Sequence, residues 1–109
     1  MGPILEYARR VTHACMQISW TPAALFDLES ARRYIAADNP QAADRQVGRI
    51  LAAIDNLKVF PELGRPGRRV GTRELLIGRT PYLVAYRLGH NTIGILRLLH
   101  ERQEWPARF

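Results

Sequence analysis

The sequence predicts an α+β domain, ordered β-α-α-β-β-β, in which a helical hairpin packs on one face of a small antiparallel sheet. Three observations carry this. Apolar residues recur at helical spacing over 22–58, the period changes to two after a Gly/Pro/Arg-rich loop at 64–69, and the later runs are separated by turns of two or three residues. With 109 residues and 47% apolar content, the chain supports one hydrophobic core and is too short for two. A single domain over 16–109 is expected. Residues 1–15 lack clean periodicity and read as a flexible N-terminal extension, or as the product of an upstream start codon used in place of Met16.

Met16 opens MQISW, whose Ile18 and Trp20 alternate with polar residues as in a first strand. Thr21-Pro22 is an N-cap followed by proline at the first helical position, where the missing N–H is harmless. Helix one is expected over 22–37, with Ala24, Leu28, Ala31 and Ile35 turned to the core. Asp38-Asn39-Pro40 repeats the punctuation, and helix two follows over 40–58 with a stripe of Ala43, Val47, Ile50, Leu51, Ile54 and Leu57. Phe60-Pro61 ends it, and 64–69 reads as a solvated loop. Strands are expected over 73–77, 82–88 and 92–99, joined at Thr80-Pro81 and Gly89-His90-Asn91. One sheet face is left uncovered. Alternation along the last strand places Ile93, Ile95, Arg97 and Leu99 on one face and Leu96, Leu98 and His100 on the other.

The net charge is +6, and its distribution is uneven. Residues 1–63 carry seven basic and seven acidic side chains, whereas 64–109 carry nine Arg and three Glu. A phosphate-rich or acidic partner facing the second half is the working expectation, since the guanidinium fork suits both groups. No run approaches the ~20 apolar residues of a membrane span, and the first 15 residues lack a compact apolar segment, so a cytoplasmic protein without a membrane partner is expected. Cys15 is the single cysteine and excludes an internal disulfide. His13, Cys15, His90 and His100 show no liganding pairs at metal-site spacing. No Gly-rich phosphate cradle and no G-x-S-x-G is present, so no metal, cofactor or small-molecule substrate is expected.

Three stretches carry a resemblance. Thr72-Arg73-Glu74-Leu75, Thr80-Pro81-Tyr82-Leu83-Val84-Ala85-Tyr86-Arg87 and the run from Ile93 through His100-Glu101-Arg102-Gln103-Glu104-Trp105-Pro106 are similar to the C-terminal half of the RelE/ParE toxins. Phe60-Pro61-Glu62-Leu63-Gly64-Arg65-Pro66-Gly67 resembles the loop after the hairpin in the ParE branch. The resemblance spans about residues 16–106. It implies a RelE/ParE-like fold and the toxin of a type II toxin–antitoxin system, neutralised by a cognate antitoxin protein. The ParE branch implies inhibition of DNA gyrase; the alternative is a RelE-like endoribonuclease that cleaves messenger RNA on the ribosome.

Chemistry separates these two. Metal-free RNA cleavage needs a base for the 2′-hydroxyl, cations for the phosphorane and an acid for the leaving oxygen. RelE-like toxins resemble one another in placing lysines on the strand matching 73–78 and an Arg after the tyrosine matching Tyr82. This chain has Glu74, Leu75 and Leu76 on that strand, and Leu83 after the tyrosine. If it is a nuclease, His100 and Arg102 are the candidate catalytic pair. The expected target-binding surface is Arg79, Arg87, Arg97 and Arg102 with His100 and Trp105 beside them, Trp and Arg being frequent interface anchors. Leu25, Phe26 and Tyr34, apolar side chains off the stripe of helix one, are the expected antitoxin contacts. Plainer readings stand beside these: Arg87 and Arg97 as cross-strand partners of Glu74, His100 as a hydrogen-bonded sheet-end residue, Trp105 as an edge cap, and Tyr82, Leu83 and Tyr86 as core. The charge alone also suits a small nucleic-acid-binding module, with steeply salt-dependent binding.

Overall fold

The computed structural model describes residues 16–103; the extension 1–15 and Trp105 lie outside the described residues. The elements are β1 (Gln17–Trp20), α1 (Pro22–Asp38), α2 (Pro40–Asn56), β2 (Arg65–Pro66), β3 (Arg73–Leu76), β4 (Tyr82–Gly89) and β5 (Thr92–His100). Two helices lie on a five-stranded sheet of order β1-β5-β4-β3-β2. The expected class and order hold.

The caps act as the sequence requires. Thr21 Oγ1 accepts the Ala24 N–H at 3.0 Å. Asn39 serves both helices: its N–H donates to Ile35 at 2.9 Å, and its Oδ1 accepts from Gln41 and Ala42 at 3.1 Å each. Ala24 and Ala31 of α1 and Ile50, Ile54 and Leu57 beneath α2 meet Leu75, Val84, Tyr86, Ile93, Ile95 and Leu98 of the sheet. Each fully buried isoleucine there contributes about 1.5–3 kcal/mol. Leu51, expected in the stripe, is exposed instead, because the helix buries a narrower arc than the spacing suggests.

The sheet departs from a pure antiparallel meander at both edges. β3, β4 and β5 each reverse on the strand before them, and β1 lies parallel to β5, a pairing that needs a long crossover between the two strands. Residues 65–66, expected as loop, pair with Arg73 and Glu74; Pro66 is tolerated because β2 is an edge.

A bulge changes the faces of β5. Ala85 pairs with Arg97 and Tyr86 with Ile95, so Leu96 has no partner of its own on β4. Past that point the alternation inverts. Leu98 joins Ile93 and Ile95 in the helix-side core, while Arg97 and Leu99 take the outer side, correcting the strict alternation read from the sequence. Leu83, Ala85 and Leu99 are buried yet stand outside the helix-side cluster, so the outer face is not bare along its middle. β4, the central strand, therefore reads as a continuous apolar run rather than an alternating one.

Candidate functional site

β1 pairs only with Thr92–Ile95, so the outer edge of β5 beyond Ile95 faces α1 rather than a strand. Side chains close that edge. Thr21 Oγ1 donates to the Leu96 carbonyl at 2.9 Å, the Leu98 N–H donates to Asp27 at 3.0 Å, and the His100 N–H donates to Gln103 Oε1 at 3.2 Å. The same Asp27 carboxylate receives Arg97 in a bidentate pair at 2.6 and 2.9 Å, with the two side chains 10% and 18% exposed. The hydrogen bond to Asp27 raises the Arg97 pKa against the opposing pull of burial, so the guanidinium stays charged.

Next to this pair lies an open depression of about 560 Å³ whose walls include Phe26 and Tyr34 from α1, and Tyr82, His100, Arg102 and Gln103 from the sheet end. A second, of about 720 Å³, shares Tyr34, Tyr82 and His100 and continues round the hairpin tip to Asn39 and Gln46. Phe26 and Tyr34 are 68% and 78% exposed. The Tyr82 and His100 rings meet edge to face, 5.3 Å between centroids at 82°. Burial, and secondarily Tyr34, raises the Tyr82 pKa, which keeps the phenol protonated as a donor. His100 Nδ1 accepts the Arg102 N–H at 3.1 Å, so in the neutral ring the proton sits on Nε2. The cleft offers aromatic faces, one imidazole and one guanidinium. It is equipped to bind, and no cation of β3 reaches it: Glu74 is buried, Leu75 is core, Leu76 is apolar, and Arg73 is turned to the carbonyls of Gly64 at 2.6 Å and Glu62 at 3.3 Å.

The expected target-binding residues do not form one rim. His100 and Arg102 line the cleft, and Arg79 sits exposed in the turn before β4, with φ 64° and its carbonyl accepting from Arg49 at 3.5 Å. Arg87 lies exposed five residues along β4 from Tyr82, about 17 Å toward the other end of the sheet. Arg97 is committed to Asp27, a partner the sequence reading did not name. Of the expected antitoxin contacts, Phe26 and Tyr34 share the cleft side of α1. Leu25, half exposed, points about half a turn away from Tyr34.

The sequence reading also missed a second organised region. Glu74, 3% exposed, accepts the Arg68 N–H at 2.7 Å and lies 3.4 Å from Arg65 Nη2 and 3.8 Å from Arg68 Nε. Tyr86 is fully buried, donates to the Pro61 carbonyl at 2.7 Å and accepts the Gly64 N–H at 2.9 Å. Burial, ahead of every other influence, raises its pKa. A Cβ at Gly64 would come within 2.8 Å of the Tyr86 ring and 2.9 Å of the Glu74 carbonyl, so only glycine fits there. The 60–69 loop is thus a built arginine–glutamate hub, not a solvated turn. Among the described residues no group of three His, Cys, Asp or Glu side chains is placed to hold a metal ion, and no helix is long and apolar enough to cross a membrane.

The model of the family described as "ParE toxin of type II toxin-antitoxin system, parDE" matches residues 18–105. The chain is 43% identical over 90 residues to "Putative toxin Y4kP" of Sinorhizobium fredii, covering 83% of this chain and 93% of that one. It is 37% identical over 84 residues to "Toxin RelE2" of Caulobacter vibrioides, covering 77% and 93%. Among solved structures, the chromosomal ParDE TA system from P. aeruginosa superposes with a TM-score of 0.71 at 28% identity, over 80% of this chain and 97% of that one. The toxin-antitoxin complex RelBE2 from Mycobacterium tuberculosis superposes with a TM-score of 0.52 at 28% identity, over 78% and 96%.

Proposed function

This chain belongs to the ParE toxin family of type II toxin–antitoxin systems, and from that premise we propose that it is a ParE-type toxin that inhibits DNA gyrase in the cytoplasm. The observation that carries the choice of target is the missing cationic set: β3 sends no positive side chain into the cleft that holds His100 and Arg102. Removing one preorganised contact of this type costs about 10²–10³ in rate, so a site lacking several is a poor nuclease. The better superposition on the ParDE toxin than on RelBE2 supports the same reading.

The antitoxin's place, in this reading, is the aromatic cleft along α1. Exposed Phe26 and Tyr34 flank a concave surface, the combination a helix or extended segment of a partner fills. Cleavage of messenger RNA is the second reading, and it rests on His100 and Arg102 standing in one cleft.

Purified protein tested side by side on gyrase supercoiling and on messenger RNA cleavage decides between them. The expected result is loss of supercoiling at micromolar protein, with no A-site cuts in primer extension from an induced culture. Intact supercoiling with arrested translation would overturn the gyrase reading.

A further inference from the structure

The side of the sheet turned away from the helices carries a second surface that the cleft does not use. Along β4 the alternation is regular: Tyr82, Val84, Tyr86 and Leu88 pack toward the helices, so Arg87 projects from the outer side. Arg65 lies directly across from Glu74, and Glu74 across from Ala85, which puts Arg65 on that same side. Arg68 reaches Glu74 from the adjoining loop. The hub therefore delivers Arg65 and Arg68 to the outer face, where each keeps more than half of its side chain exposed.

Two features define what this surface fits. Glu74 is the only carboxylate carried by a described strand, and it is buried under the arginines; the remaining described acids lie on the helices and in loops. The outer face is thus cationic without an exposed strand carboxylate to oppose it. Among the described residues, no strand turns an aromatic side chain to that face: Trp20, Tyr82 and Tyr86 pack with the helix-side core. Protein interfaces draw most of their energy from aromatic anchors, whereas a phosphate backbone is held by guanidinium donors alone.

We propose that the outer face of the sheet, around Arg65, Arg68 and Arg87, contacts the phosphate backbone of a duplex nucleic acid. Each guanidinium carries five N–H donors in a fixed fork. The Glu74 carboxylate lies 3.4 Å from Arg65 Nη2 and 3.8 Å from Arg68 Nε, and so holds both side chains at this face before any ligand arrives. From strand spacing and rise, the Cα atoms of Arg65 and Arg87 stand about 12 Å apart, comparable with the major groove that separates two phosphate backbones. This surface and the aromatic cleft are separate, so the inference holds or fails independently of the gyrase reading.

The test is fluorescence anisotropy of the purified full chain with a labelled DNA duplex of about 20 base pairs across a salt series. Three phosphate contacts give a slope of log K against log salt of about −2.7. Arg87→Gln, at an exposed position, is expected to reduce the slope by about 0.9 and weaken binding several-fold at 0.1 M salt, with an unchanged melting curve. Arg65→Gln is expected to do the same to the slope. Arg79→Gln, at the other end of the sheet, is expected to leave it alone. Absence of salt-dependent binding, or an equal loss from Arg79→Gln, would overturn the proposal. Tighter binding to a polyglutamate peptide than to the duplex would also overturn it, by giving the face to an acidic protein.

Discussion

The cleft and the arginine–glutamate hub use similar residues to opposite ends. In the hub, polar groups are answered from within: Glu74 takes Arg65 and Arg68, Tyr86 takes both Gly64 and Pro61, and Arg73 takes the Gly64 carbonyl. In the cleft, Phe26 and Tyr34 stand open beside His100 and Arg102. A largely buried carboxylate, Glu74 or Asp27, fixes the position of the arginines beside it. Arg97 shows the rule at the boundary, since Asp27 draws it from an outer-face position into the α1–β5 edge.

The sharpest way to break that contrast is to remove the hub's centre. Glu74→Ala leaves the Arg68 N–H without the Glu74 acceptor and removes the carboxylate that Arg65 and Arg68 share. The arginines are more than half exposed, so water offsets part of the loss, and destabilisation of about 2–3 kcal/mol is expected in urea unfolding. Arg102→Ala, its counterpart in the cleft, is expected to change stability by less than about 0.5 kcal/mol. Equal effects from the two would mean that the hub is surface decoration and the distinction is wrong.

Alkaline pH sharpens the comparison by about half that amount. Burial raises both the Tyr86 phenol of the hub and the Tyr82 phenol of the cleft above the ordinary tyrosine value. A group with a raised folded-state pKa stabilises fully below its unfolded value, and that share is lost as pH climbs through the folded value. Stability should therefore hold up to about pH 10 and then fall, by at most about 1.4 kcal/mol per pH unit for each phenol. The chain has one lysine and one cysteine, so few other groups contribute there. Tyr82→Phe and Tyr86→Phe should each remove one share of the fall. A stability curve that stays level to about pH 11 would show that neither phenol is held in its protonated form by the fold.

Local signals explain what was legible beforehand. Thr21-Pro22 and Asn39-Pro40 announce both helix starts, because capping and the proline constraint act within four residues, and the stripes of Ala24, Ala31, Ile50 and Ile54 follow from helical spacing. What was illegible depends on distance along the chain. Asp27 and Arg97 are 70 residues apart and meet only after β5 is laid beside α1. The Leu96 bulge carries no composition signal, yet it reverses which residues of β5 face the helices, and with them the assignment of Arg97. Glu74 looked like a strand-surface residue, and only the return of the 64–69 loop as β2 buries it. The cleft was legible in part: Phe26 and Tyr34 stood off the core stripe, but nothing in the spacing joined them to Tyr82 and His100 across the fold.

The smallest effect on stability tests the cleft's side of the contrast. Tyr34 is 78% exposed and Phe26 68%, so truncating either to alanine removes little buried area, and unfolding free energy should shift by less than about 0.5 kcal/mol. If the cleft seats the antitoxin, the same truncations strip the aromatic anchors from an interface, and anchors of this type are worth about 1–2 kcal/mol or more, or roughly a ten-fold loss of affinity. Leu25→Ala discriminates between a specific seat and general stickiness, because Leu25 is half exposed on the same helix but points away from the cleft. Titration calorimetry with the cognate antitoxin should rank Tyr34→Ala and Phe26→Ala well below wild type, with Leu25→Ala near it. A uniform response of the three would spread the contact around α1, and the cleft would then be an incidental hollow in a surface the partner covers for other reasons.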